Sequence, residues 1–194
     1  MNAVVSTLAV ALGAFAGTNL DNLLALSGQL ATTEESRHRR IAEGQVAATV
    51  VILGLSALAG VAFATVPARL VGLLGLVPIG LGLRSAILLV RHRADDRSVP
   101  AVGGLVYSFL VTLAIGADNV AVYVPVLATG TALAAGASLA VWLACDLGLV
   151  GVAAWLGRHP STERVVERLG PLALPVLYVV IGVVVLVRAG TLGG

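Results

Sequence analysis

Apolar residues dominate this chain in long uninterrupted runs, separated by short stretches that gather nearly all of the charge. A membrane-crossing helix needs about 20 mostly apolar residues to span a hydrocarbon core of roughly 30 Å. Six runs meet that length, at about 3–30, 42–65, 69–90, 101–129, 131–156 and 171–188. The pattern predicts an all-α integral membrane protein with six transmembrane helices. The first run is expected to be retained, because it lacks a basic leader and carries Asn19, Asp21 and Asn22 where a secretory signal would be unbroken.

Polar residues inside those runs repeat. Asp21-Asn22 lies in the first run and Asp118-Asn119 in the fourth, an offset of 97. Pro78 and Pro175 share that offset, as do Arg91 and Arg188. The chain therefore reads as two related three-helix repeats, 1–97 and 98–194, within one membrane domain. Three is an odd number, so the second repeat enters the membrane from the opposite face and the repeats are expected to be inverted. Inverted repeats of this kind place a substrate near the bilayer midplane, where interrupted helices free backbone groups to meet an ion.

Composition agrees with the spans. Hydrophobic residues make up 58% of the chain and charged ones 11%, with a mean hydropathy of +1.01, more apolar surface than a soluble domain of 194 residues could bury. All twelve basic residues are Arg. Arg37, Arg39, Arg40, Arg84, Arg91, Arg93, Arg97, Arg158, Arg164 and Arg168 fall in or beside the loops joining helices 1–2, 3–4 and 5–6, against only Arg69 and Arg188 on the other side. The positive-inside rule then puts both termini outside. The net charge of +2 is accounted for by topology and anionic headgroups, and calls for no nucleic acid. Cys145 is alone, which excludes an intrachain disulfide and a CxxC redox motif.

An ionised carboxylate at mid-membrane costs about 2.5–3.5 kcal/mol on insertion scales, so two at matching depth point to a ligand. Gly17 and Gly116 precede the aspartates and Pro125 follows the second, which favours local unwinding; ordinary glycine-mediated packing is the alternative. Asp21, Asn22, Asp118 and Asn119 offer hard oxygen donors suited to a divalent cation. Thr18, Asn19, Glu43, Gln45, Thr49 and Asp146 are candidates for the path around that site. Gln45, Thr49 and Ser56 share one helical stripe, and Ser108, Thr112 and Asn119 another; a Ser or Thr in such a stripe can equally bond its own backbone. Asp146 aligns with Thr49 through the repeat and reads as a ligand, a proton carrier or the partner of a buried polar group. Glu43 opens helix 2, where it either receives an ion or complements the helix N-terminus. His92 and His159 lack ligand spacing and read as surface residues.

No GxxxxGK loop is present, so energy must come from an ion gradient or a partner chain, with proton antiport preferred. The expected mode is alternating access between the two repeats. Rival readings are an exporter of amino acids or small organic solutes, an intramembrane aspartyl protease and a non-transporting scaffold. The first would want a mid-span Arg for the substrate carboxylate, and the second Tyr-Asp and Gly-x-Gly-Asp settings, neither of which is present. No enzyme activity and no cofactor are expected.

The stretches EGQ at Glu43–Gln45, LLGLVPIGLGLR at Leu73–Arg84 and GADNVAVYVPVL at Gly116–Leu127, together with GTNLDNLLAL in helix 1, resemble the blocks of bacterial cadmium-resistance transporters of the Cad type, in the lysine-exporter superfamily. The resemblance covers nearly the whole chain and implies a six-helix exporter of divalent heavy-metal cations; the expected cargo is of the cadmium type, with zinc and manganese as alternatives, and the exact metal is not implied. It sets Asp21, Asn22, Asp118 and Asn119 at the positions of the family's polar motif and implies a multi-pass protein of the bacterial plasma membrane. Its partners would be the metal cation and the lipid bilayer, with monomer and homodimer both open. Val46-Ala47 stand after Gln45 where the family pattern carries an aromatic and a Leu.

Overall fold

The computed structural model describes residues 3–63, 65–67, 70, 73–91, 104–159, 176, 179–180 and 182–187. Seven helices organise them: α1 (Ala3–Thr18), α2 (Leu20–Thr32), α3 (Glu35–Phe63), α4 (Leu76–Arg91), entered through a 3-10 turn at Leu73–Gly75, α5 (Leu105–Ile115), α6 (Ala117–Ala128) and α7 (Ala132–Gly157). Residues 182–187 are also helical, and no strand occurs among the described residues. The expected sixth span, 171–188, lies largely outside them, as do Arg69, Arg93, Arg97, Arg164, Arg168, Arg188, His92 and Pro175.

Helices α3 and α7, 29 and 26 residues long, are each long and apolar enough to cross a membrane. The first and fourth expected spans are each two half-helices meeting at an angle, α1 and α2 at 53° and α5 and α6 at 63°. Counting each bent pair as one span brings the total to four. The expected third span, 69–90, contains the 3-10 turn and the 16-residue α4, which is shorter than a straight crossing needs. Large apolar side chains point outward along these helices, among them Leu58, Val61, Val106 and Leu133, as they would against lipid.

Each bent helix leans on a long straight one from the other half of the chain. The α5–α6 pair packs along α3, and the α1–α2 pair along α7. Glycine permits both approaches. A Cβ on Gly60 of α3 would sit 3.0 Å from the Leu127 side chain, and one on Gly157 of α7 would sit 2.9 Å from the Ser27 carbonyl and 3.3 Å from the Ala31 amide. Gly60 and Gly157 are 97 positions apart, and so are Leu30 and Leu127 and Ala31 and Ala128, so the two contacts are made by equivalent segments. The bends themselves, at Asn19 and Gly116, keep the same offset.

Two apolar clusters hold the bundle. Ala11, Ala14, Ile52, Leu53, Val122, Tyr123, Leu127 and Trp142 form one, and Leu26, Leu30, Ile41, Leu149 and Ala153 the other. The described basic residues Arg37, Arg40 and Arg158 gather at one end. Arg158 after α7 pairs with Glu35 at the start of α3, and Arg37 and Arg40 line a cavity with Gly104, Leu105 and Tyr107 at the start of α5.

Candidate functional site

The bend at Asn19 arises from side chains that bond backward instead of capping forward. The Thr18 hydroxyl donates to the Ala14 carbonyl at 3.0 Å, and the Asn19 amide donates to the Phe15 carbonyl at 3.0 Å. Such back-bonding competes with the regular ladder and bends helices. Asn19 stands at φ −117° and ψ 12° in the N-cap position of α2, but its side chain makes no capping bond there. It reaches across the bundle, donating to the Tyr123 hydroxyl of α6 at 2.9 Å. The Tyr123 ring is locked in turn, stacked on Trp142 of α7 at 3.9 Å between centroids, while the Trp142 indole donates to the Ala11 carbonyl at 2.8 Å. The straight helix α7 and both bent ones are thus tied at this level.

Hydrogen-bond logic fixes how the asparagines face. The Phe15 carbonyl can only accept, so the Asn19 nitrogen points at it and the Asn19 oxygen points the other way. That oxygen accepts from the Asn119 amide nitrogen at 3.3 Å and from the Asn22 amide nitrogen at 3.5 Å. Asn119 must therefore turn its own oxygen elsewhere. This Oδ1 is buried and receives no hydrogen bond among the described residues. A buried acceptor without a donor costs on the order of 1–3 kcal/mol, and a cation is one occupant that would relieve the cost.

Both aspartates lie in the first turn of the half-helix that follows a bend, Asp21 in α2 and Asp118 in α6. A helix N-terminus carries partial positive charge, which favours a carboxylate there. Asp21 is exposed and accepts from the Asn22 amide N–H at 2.8 Å, whereas Asp118 is half-buried. The structure thus joins the two Asp-Asn motifs directly through Asn19, Asn22 and Asn119. Among the described residues, no three of His, Cys, Asp and Glu converge into a metal cluster. A cation at the bends would be held by two carboxylates with amide and hydroxyl oxygens, a hard donor set.

A second polar group sits where α3, α5 and α7 meet. Thr112 donates to the Gln45 oxygen at 2.6 Å, and the Gln45 nitrogen donates to Asp146 Oδ1 at 2.8 Å. The Thr49 hydroxyl lies beside the same carboxyl group. Both predicted stripes face inward, with Gln45, Thr49, Ser56, Ser108, Thr112 and Asn119 all buried. Ser56 nonetheless bonds its own backbone, donating to the Ile52 carbonyl at 2.8 Å. Glu43 stands apart at the exposed end of α3, paired with Arg39 at 2.9 Å. Cys145 is half-buried next to the fully enclosed Asp146, and His159 packs on Trp155 at the exposed end of α7.

Tyr123 is the residue that sequence reading passed over. It bonds both Thr18 and Asn19, and both Asp118 and Asp146 lie within electrostatic reach of its hydroxyl. Its signal was its position, four residues after Asn119 and so on the same helical face.

No curated protein and no solved structure matches the chain. The model of one protein family, described as cadmium resistance transporter, matches residues 15–193. That match takes in both bends, both Asp-Asn motifs and the Gln45–Asp146 pair, and by it the chain belongs to the Cad family of cadmium resistance transporters.

Proposed function

We propose that this protein exports divalent heavy-metal cations, cadmium foremost, across the bacterial plasma membrane, with the cation held between the two helix bends by Asp21, Asn22, Asp118 and Asn119. The observation that carries this reading is the buried Asn119 oxygen, turned away from Asn19 and left without a donor beside the first turn that bears Asp118. Family membership supplies the class of cargo. Thr18 and Asn19 line the bend, while Gln45, Thr49 and Asp146 lie along the path and Glu43 stands at its exposed end.

Repeats 1–97 and 98–194 act as inverted halves in this proposal. Support comes from the matching offsets of the bends and of the Gly60 and Gly157 contacts, and from each bent helix leaning on the long helix of the other half. Alternating access then rocks one bent helix with its partner against the other pair around the cation. The end that carries Arg37, Arg40 and Arg158 faces the cytoplasm in this proposal, which leaves both termini outside. Coupling is by proton antiport, since carboxylates that bind a cation can bind protons instead. The unit works in the bilayer with the metal ion as cargo and requires no cofactor, and a homodimer is compatible with it.

The test is flux into proteoliposomes under a set pH gradient, comparing cadmium, zinc, manganese and an amino acid. Cadmium uptake opposed to the proton gradient is the expected result. Uptake of the amino acid with no metal flux would overturn the reading.

A further inference from the structure

Asp146 is the most enclosed carboxyl group among the described residues, with 0% exposure. Asp21, Glu34, Glu35 and Glu43 are exposed and Asp118 is half-buried. Gln45 donates to Asp146 Oδ1 at 2.8 Å, while Oδ2 is buried with no hydrogen-bond donor. A full negative charge left there would carry an unsatisfied oxygen in a low-dielectric setting, a heavy cost. A proton on Oδ2 removes both the charge and the unmet acceptor; the Thr49 hydroxyl beside the group, which donates to the ionised carboxylate, can rotate to accept the resulting O–H.

Among the described residues, the surroundings supply no counter-charge. Helix α6 presents Tyr123 and Asp118, and α2 presents Asp21, all of them acids. Helix α3 presents Gln45 and Thr49, and its nearest acid in sequence, Glu43, is engaged by Arg39 at the exposed end. Helix α1 has no titratable side chain, α5 offers Thr112, with Tyr107 far along it beside Arg37 and Arg40, and α7 itself adds only Cys145 nearby. A metal ion at this spot fits poorly, because the Gln45 oxygen is taken by Thr112 and a single carboxylate is left.

Resting on the exporter reading above, the geometry points to Asp146 as a proton-binding site distinct from the cation site at the bends, one that gives up its proton when the cation binds. Tyr123 lies within electrostatic reach of both Asp146 and Asp118 and is bonded to Asn19 at the first bend. A 2+ charge at the bends favours the ionised form of Asp146. The O–H bond at Oδ2 breaks, the proton passes to water on the side to which the site is open, and the carboxylate left behind offsets part of the cation's charge. Reversal on the opposite side returns the proton as the cation leaves.

The test uses the full-length purified protein. Infrared difference spectra on adding cadmium should show loss of a carboxylic-acid C=O band with gain of carboxylate bands, and a pH dye should register proton release. Asp146→Asn should lack the acid band and lose the cadmium-dependent proton release that this carboxyl supplies. Asp118→Asn should keep the acid band in the metal-free protein. An acid band missing from the wild type, or surviving in Asp146→Asn, overturns the assignment; so does complete loss of cadmium binding in Asp146→Asn, which would make the residue a cation ligand. A wild-type protein that shows the acid band but neither binds nor moves cadmium would instead defeat the exporter reading and leave the protonated carboxyl standing.

Discussion

The two bends occupy equivalent positions and are built from opposite materials. At Asn19 the break is filled by a polar side chain that bonds back to Phe15 and across to Tyr123. At Gly116 there is no side chain at all, because Ile52 of α3 occupies the space where a Cβ would stand and the Thr112 carbonyl lies 2.9 Å from it. One half contributes hydrogen-bonding groups and the other contributes room for a neighbouring helix. The same geometric need, a half-helix starting mid-bundle with an aspartate in its first turn, has been met twice with different chemistry. The aspartates differ accordingly, Asp21 exposed and Asp118 half-buried.

The largest effect expected from breaking this comparison is on flux. Asp118→Ala should reduce cadmium transport on the order of 100-fold, the upper end of what losing a group at a metal site costs. Asp21→Ala should follow with a smaller but still severe loss, since its carboxylate is the more solvated of the two. Both variants should insert and elute as the wild type does, and normal flux in either one contradicts the site. At the other bend, Gly116→Ala forces a methyl group against Ile52 and should destabilise the protein by about 1–3 kcal/mol, as overpacking does. Thermal unfolding in detergent reads this, and Ile52→Val in the same chain should restore part of the loss. Tyr123→Phe keeps the stack on Trp142 but removes the hydroxyl that receives Asn19, for an expected cost of about 1 kcal/mol and a partial fall in flux. Cys145→Ser should change least, with flux near the wild-type rate. Loss of cadmium transport with manganese spared would show that sulfur selects the cargo.

Much of this arrangement was legible as spacing. The 97-residue offset of the Asp-Asn pairs anticipated where both helices bend, and glycine before each aspartate marked the regions. The inward stripes through Gln45 and Thr112 were readable because membrane helices keep a regular period. From sequence Asn19 reads only as a lining residue, since nothing in one sequence says that an asparagine will turn its nitrogen to a carbonyl four residues back and its oxygen to another helix. Tyr123 was hidden for a related reason. An aromatic in an apolar run reads as packing, and its hydroxyl acquires a role only when the fold brings Thr18 and Asn19 to it over more than a hundred residues. The pairing of Gln45 with Asp146 likewise depends on α3 meeting α7, which no local signal encodes.

The central claim is that a cation rests on oxygen donors between the two bends, and X-ray absorption at the cadmium edge tests it most directly. Purified wild-type protein loaded with one equivalent of cadmium should show a shell of oxygen neighbours at about 2.3–2.6 Å, by analogy with other large divalent cations on hard donors, and Asp118→Ala should lose the bound metal. A sulfur shell in the wild type, or an unchanged oxygen shell in Asp118→Ala, would contradict the account.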